Sequence, residues 1–453
     1  MGIFGALTTA VSGLKAQSYA LENISGNIAN SRTTGFKRVD TSFVDLIPDS
    51  PRRREAAGSV AAFSQSTNTL QGDLNSTGVG TNIAINGEGF FVVQERTGFA
   101  GSQPTFAGID LYSRRGDFEL DRSGYMVNGA GFYLKGIRMD PITQDLIGSQ
   151  PGVIKVDGDN IPARPTGELE YRANLPARPS TNNAVANTPA SWLLGAGPWG
   201  ATPPAAVTAT DETAFINQTI SGGATTAYNV QGAPVNVQLR WGKTSNTSGA
   251  ETWNTYYQVD ASATGAATKW AQLPGGTFTF DSAGQATSAP ILTGLNLTIN
   301  GAAVGPFSFS TALTQYADAD VESKGSVRVT KLSQDGYPSG ELTSITIGDG
   351  GRVQGNYTNG QVVGLYQLSV AQFNADNGLK RRDGGVFEQT IDSGPPVIND
   401  AGRSIVGGTV ENSNTDIADE FAKMIVTQQA YSANTKIIST ASDMLREVIN
   451  IVR

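Results

Sequence analysis

Apolar and polar positions keep one period at both ends of the chain and another between them. Near the start, Ile3, Leu7, Ala10, Leu14, Gln17, Leu21, Ile24 and Ile28 fall on one line at alternating steps of four and three, with Gln17 polar. That is a heptad seam, which asks for a partner helix along its length. Lys15 and Glu22 are the only charges in the segment, fewer than a solvated surface helix carries, so protein is expected on more than one side. The other end repeats the pattern through Ile417, Phe421, Met424, Gln428, Tyr431, Thr435, Ile438, Ser442, Leu445, Ile449 and Val452. A second line through Ile425, Ile437, Ala441, Met444 and Val448 widens that face. Ser413 followed by Asp416 has the form of a capping box and predicts a helix start near Asn414. At 1.5 Å per residue the helices would be roughly 40 and 55 Å long. An ordinary helical pair closing a globular domain is the plainer reading. Against it, everything between the ends reads as strand or loop, so a bare pair would stand outside any core unless neighbouring copies covered it.

The middle of the chain follows period two. Asn82-Ile83-Ala84-Ile85-Asn86-Gly87 ends in a hairpin signal, and Gly89-Phe90-Phe91-Val92-Val93 follows as a strand. Further strands are expected at Val235–Leu239, Phe278–Phe280, Leu295–Ile299, Val327–Val329, Ile345–Ile347 and Leu365–Leu368. All five tryptophans (Trp192, Trp199, Trp241, Trp253, Trp270) lie in one stretch, where they read as core anchors in preference to a carbohydrate platform. Between Ser180 and Glu322 the only basic residues are Arg240, Lys243 and Lys269. The expected fold is mainly β with paired N- and C-terminal α-helices, a nested multidomain chain of antiparallel β domains with a coiled-coil-like terminal pair. Residues 1–32 and 413–453 would form the helical domain and 33–71 an irregular linker region. Residues 72–146 and 323–412 would form a discontinuous β domain, and 147–322 an inserted β domain holding every Trp. Within the linker, Arg52-Arg53-Arg54 reads as a solvated loop.

Composition narrows the chemistry. The 453 residues carry a net charge of −8, which argues against a nucleic-acid partner. With no Cys and no His, disulfides, histidine triads and Cys/His zinc sites are excluded. The 54 glycines fit many short strands joined by turns. No run is long and apolar enough to span a membrane, and the N-terminal pattern is not that of a secretory signal. Gly78-Val79-Gly80 and Gly129-Ala130-Gly131 lack the third glycine of a dinucleotide loop. Asp157-Gly158-Asp159 resembles a calcium loop only until Pro162 takes the place of its required glycine. Carboxylate pairs suffice for a glycosidase, but no pair is singled out. The expectation is a non-enzymatic protein with no catalytic residue, metal or cofactor.

Two motifs then become specific. Asn23 to Lys37, with Asn27, Ala29, Asn30, Gly35, Phe36 and Lys37 at its centre, resembles the N-terminal signature of the axial proteins of the bacterial flagellum. Ser413 to Ala418, Gln429 to Asn434 and the terminal Ile449-Asn450-Ile451-Val452-Arg453 are similar to the other end of the same family. The Trp-bearing insert and Gly355-Asn356-Tyr357-Thr358-Asn359-Gly360-Gln361 look like its hook members. The resemblance implies a homo-polymer, a flexible helical tube that acts as a universal joint carrying torque to the filament. It further implies a location in the flagellar hook outside the cell, with export through the type III apparatus. The implied partners are the distal rod, hook cap and hook–filament junction proteins, with no membrane insertion. Assembly residues would be Ile3, Leu7, Leu14, Leu21, Ile24 and Ile28 at one end. At the other they would be Ile417, Phe421, Met424, Tyr431, Ile438, Leu445, Ile449 and Val452. A distal-rod-type subunit with an insertion and a secreted β-rich adhesin stay open as alternatives.

Overall fold

The structure is a computed structural model that describes residues 3–46, 58–101, 103–158, 160–195, 198–199, 202–316, 325–400 and 404–451. The chain divides into two compact units, one made of 1–159 and 342–453, the other of Asn160–Glu341.

The first unit opens with the helix Ile3–Ala29. The helix ends where the Asn30 side chain caps the Gly26 carbonyl at 2.9 Å and Gly35 turns the backbone with φ 67°. A Cβ at Gly35 would lie 2.6 Å from the Arg114 backbone, so this turn needs glycine on two counts. A hairpin of Val39–Leu46 and Ser59–Ser66 then runs back along the helix, tied to it by Asn23 to Thr41 (2.9 Å) and Tyr19 to Ser64 (2.7 Å). In the β domain, the continuous apolar run Phe90 to Val93 is buried on both faces. Phe91 and Val93 join a core with Ile83, Leu134, Val353 and Leu368, while Phe90 and Val92 pack with Tyr112, Leu379 and Phe387. The strand Val362–Gln372 pairs with Phe132–Arg138 and, at Val370 and Ala371, with Phe91 and Phe90. Two distant stretches of chain therefore build one sheet. Near its end the chain returns antiparallel to its beginning: Ile405–Gly407 pairs with Ile83–Ile85, and Thr409–Glu411 with Leu74–Ser76. The helix Ile417–Ile451 follows.

The second unit holds a four-stranded and a five-stranded sheet. Leu169, Tyr171, Trp241, Trp253, Phe278 and Phe309 fill the core between them, and the Trp241 indole donates to the Tyr171 hydroxyl at 2.9 Å. Trp270 is buried with Phe215 and Tyr256.

Four features differ from the expectation. The second unit spans 160–341, not 147–322. Gly152–Val153 pairs with Phe132–Arg138, and Arg328–Gln334 joins Glu168–Pro176. Composition carries no mark of either exchange. Residues 39–46 and 59–66 form a hairpin, not an irregular linker; their Ser, Ala and Thr positions are weak strand signals alone, and the helix supplies their cover. The Arg52-Arg53-Arg54 run lies outside the described residues. Strand pairing in the second unit is not wholly antiparallel, since Glu168–Pro176 runs parallel to Ala302–Tyr316. A parallel pair needs a long crossover, and the whole five-stranded sheet lies within that connection. Lastly, the C-terminal helix is capped by Asp416, whose Oδ1 accepts from the Ala418 N–H at 2.8 Å, while Ser413 accepts from Thr415.

Candidate assembly interface

The two terminal helices pack antiparallel. Gly13 faces Asn434, where an added Cβ would sit 3.0 Å from Nδ2, and Asn27 donates to the Glu420 carboxylate at 3.0 Å. The line of contact runs through small residues. Ala10, Gly13, Ala16, Ala20, Ile24 and Asn27 are buried on the first helix, and Glu420, Thr427 and Ala441 on the second. Small side chains allow close approach of the axes, and close approach turns the larger side chains off the seam.

The residues marked in the sequence therefore separate. Ile24 is buried, and Leu7, Leu14, Leu21, Ile28, Met424, Ile438 and Leu445 are half-buried along the flanks of the pair. Ile417, Phe421, Tyr431 and Ile449 face outward. Ile3 opens the first helix, and Val452 lies outside the described residues.

Beside the contact line, a second line is left open. Val426, Ala430, Ala433, Ile437, Thr440, Met444 and Val448 follow one another at helical spacing on one flank of the C-terminal helix. Val426 is 66% exposed and Met444 56%, and Phe4 on the other helix is 70% exposed. A cleft of about 470 Å³ between the helices is lined by Ala6, Ala433, Ile437, Ala441 and Met444. Single exposed apolar residues are ordinary, but aligned stripes on a long helix mark a surface that another protein covers.

Where the helices meet the β domain, buried charges form a junction. Lys37 and Glu411 side chains are fully buried and pair at 2.5 Å, and Arg114 reaches the other Glu411 oxygen at 3.2 Å. Glu411 also accepts from the Gly72 N–H (2.9 Å); Lys37 donates to the Leu70 carbonyl, and Arg114 to the Gly87 carbonyl. Burial pulls the Lys37 pKa below its ordinary value, with Glu411 acting against that pull. Alongside, Asn27 brackets Val39 through both its side-chain atoms at 2.9 Å. Asn414 accepts from the Arg38 N–H at 2.7 Å. Arg381 donates to the Lys37 carbonyl and covers the Phe36 ring at 4.8 Å. Of the motif residues, Asn27, Gly35, Phe36 and Lys37 thus meet in the junction, Asn30 caps its helix, and Ala29 is exposed.

Sequence reasoning missed Glu411, Arg114 and Glu420. A carboxylate inside the strand Thr409-Val410-Glu411 was a usable signal, because an acid in an apolar strand needs a partner. Of the small-residue seam the pattern picked out Ala10 and Ala441 but not Gly13, Ala16 and Ala20, which carry little hydrophobic signal.

Among the described residues no helix is long and apolar enough to cross a membrane. Helical termini with open apolar stripes, welded to a β domain, define a class of structural subunit built to pack against other chains. Comparison with known families places that class. The "Flagella basal body rod protein" model matches residues 7–37, and the "Flagellar basal body rod FlgEFG protein C-terminal" model matches 406–451. Between them, the "Flagellar hook protein FlgE/F/G D1 domain" matches 84–161 and the "Flagellar basal body protein FlaE D2 domain" 194–337. The "Flagellar hook protein FlgE" of Brucella suis is 28% identical, with 100% of each chain covered. That of Salmonella typhimurium is 29% identical over 98% of each. That of Escherichia coli is 29% identical over 98% of this chain and 100% of its own. A crystal structure of Helicobacter pylori flagellar hook protein FlgE2 aligns at 15% identity and TM-score 0.47, covering 77% of this chain and 99% of that one. Over essentially its full length the chain is thus similar to flagellar hook proteins.

Proposed function

We propose that this chain is a structural subunit of the bacterial flagellar hook, and that copies polymerise through their terminal helices into a tube that transmits torque from motor to filament. The observation that carries the reading is the open apolar stripe beside the intramolecular seam. Val426, Ile437, Met444 and Val448 line up on a flank of the C-terminal helix that stays exposed beside the first helix. Burying such a stripe contributes about 25 cal/mol per Å² of apolar area. A head-to-tail contact whose rotation does not close repeats without end, which gives a filament. In this reading the helical pair forms the inner wall of a channel, and the two β units form the outer layers. Ile3, Leu7, Leu14, Leu21, Ile24, Ile28, Ile417, Phe421, Met424, Tyr431, Ile438, Leu445, Ile449 and Val452 contribute to the walls between copies or within each pair. The distal rod, cap and junction proteins would bound the tube, and the type III apparatus would deliver the chain unfolded.

Hydrogen exchange on dilute monomer and on polymer tests this. Amides of Leu7 to Ile24 and Met424 to Leu445 should exchange quickly in the monomer, since a solvated helical pair is marginal, and become protected in the tube. Protection already complete in the monomer, or unchanged on assembly, would count against the account. Electron microscopy of the same polymer separates hook from rod, because a straight rigid tube favours a rod-type subunit.

A further inference from the structure

Within the 160–341 unit, an open cleft of about 500 Å³ lies where the strands Ile220–Tyr228 and Pro234–Ser245 approach the strand Arg328–Gln334. Ile216, Ile220, Val327 and Val329 give it apolar walls. The hydroxyl-bearing residues Ser180, Thr181, Thr219 and Ser221 and the cation Arg240 also line it. A bulge in the Ile220–Tyr228 strand falls at Ser221 to Gly223, beside the cleft.

Charge is unbalanced here. Of the three basic residues in this acidic stretch, Lys243 reaches Glu251 at 2.7 Å and Lys269 reaches Glu212 at 2.9 Å. Arg240 has no carboxylate within 4 Å among the described residues. Its Nε donates to the Thr219 hydroxyl (2.8 Å), and Nη2 to the carbonyls of Thr219 (2.9 Å) and Ile216 (3.3 Å), all neutral acceptors. The guanidinium also lies over the Trp270 ring at 5.8 Å. Burial pulls its pKa below the ordinary arginine value, with Glu212 opposing. Independently, Thr181 is 8% exposed and its buried hydroxyl has no hydrogen-bond partner among the described residues. A partly desolvated cation and an idle buried hydroxyl on one hydroxyl-rich cleft share a single remedy. Each gains from an oxygen anion, because charge-assisted bonds strengthen as the surroundings dry out.

We propose that this cleft binds an oxyanion, a carboxylate or a phosphate, with Arg240 as the charge partner and the Thr181 hydroxyl as a donor. Two sources supply that chemistry: free phosphate in the medium, or an Asp or Glu side chain of a second copy of this chain.

The experiment titrates inorganic phosphate into the full monomeric chain at constant ionic strength, read by calorimetry and by Tm. The free-anion source predicts saturable binding that weakens about tenfold in Arg240→Gln, is largely kept in Arg240→Lys, and weakens several-fold in Thr181→Val. The second-copy source predicts no saturable phosphate binding. Instead, Arg240→Gln and Thr181→Val raise the concentration needed for self-association, by about tenfold for the first. Thr181→Val is isosteric and breaks no existing hydrogen bond, so it carries the test if Arg240→Gln fails to fold. Phosphate binding undiminished in both variants overturns the proposal. So does the absence of phosphate binding together with unchanged self-association.

Discussion

Two apolar regions of this chain treat their large side chains in opposite ways. In residues 160–341 the largest side chains point inward: Trp241, Trp253, Tyr171 and Phe309 are almost wholly buried between two sheets. In the terminal helices the buried positions are mostly small or polar (Ala10, Gly13, Ala16, Ala20, Thr427, Ala441), while Phe4, Val426, Met444 and Ile449 point out. The first region is complete as a single chain. The second buries its small residues against itself and leaves the large ones open. Hydrophobic burial drives both, and the difference is where the partner comes from. A seam of small residues keeps the pair thin and aligned, so that its flanks present continuous stripes to other copies.

The sharpest way to break that contrast is a charge on an open stripe. Ile437→Asp should abolish polymerisation, because each contact in the lattice would then hold an unpaired buried carboxylate. Monomer stability should stay within about 0.5 kcal/mol, since Ile437 is exposed in the single chain. Sedimentation for assembly and urea unfolding for stability read the two halves separately. Normal tubes from this variant would remove the stripe from the account.

Trp241→Ala is the counterpart in the closed region. Truncating a fully buried tryptophan should cost about 3–5 kcal/mol. The loss should appear in unfolding of the 160–341 unit, read by loss of its near-ultraviolet circular dichroism. Tubes should still form at temperatures below the lowered transition. Loss of assembly with the unit still folded would mean that it, too, carries essential contacts between copies.

Glu411→Gln tests the weld between helices and β domain. It leaves Lys37 and Arg114 buried without their shared counter-charge, and breaking a buried pair from one side costs about 3–5 kcal/mol. The loss should be confined to the first unit, with faster hydrogen exchange at Gly35, Arg38 and Val39, whose amides bond Glu411, Asn414 and Asn27. Stability equal to the native chain would mean that the cluster is not a joint. Lys37→Met and Arg114→Met combined with Glu411→Leu check the same point from the other side, because removing every charge of the cluster is milder than removing its shared carboxylate alone.

How much of this was legible depends on the kind of signal. Period four-three marked both helices, and period two marked strands such as Val235–Leu239, because burial on one face writes itself into local spacing; the strand at Phe90 showed instead as a continuous apolar run. What decides pairing between distant segments is not local. Nothing in Arg328–Gln334 says that it pairs with Glu168–Pro176, nor in Ser59–Ser66 that a helix will cover it. Of the stripe, Ile437, Met444 and Val448 stood out as part of a second apolar line and Val426 did not; which line faces the chain's own partner depends on Ala10, Gly13, Ala16 and Ala20. Small residues count for little in a hydrophobicity pattern. The motif around Lys37 pointed to the junction, while its partner Glu411 lies 374 residues away. A pairing across that separation has no periodicity to reveal it.

The smallest effect sits at the edge of the same junction. Asp376 is buried, its Oδ1 has no hydrogen-bond partner among the described residues, and its backbone carbonyl accepts from Asn68 at 2.8 Å. Burial raises its pKa; Arg114 opposes that rise and Glu88 adds to it. With the folded pKa above the unfolded one, the folded state holds the proton more tightly. The contribution to stability is therefore fully present below the unfolded pKa, near 3.8, and is lost as pH rises through the folded value. At neutral pH the ionised carboxylate weighs against the fold. Asp376→Asn should remove that burden and stabilise the first unit at pH 7, by an amount of the order of 1 kcal/mol. Below pH 3.8 both chains carry a neutral side chain there, and their stabilities should converge. Paired urea titrations at pH 7 and pH 3.5 decide it. A variant less stable than the native chain at pH 7 would mean that attraction to Arg114 outweighs the cost of burial. Asp376 would then belong to the charged weld and not to its strained edge.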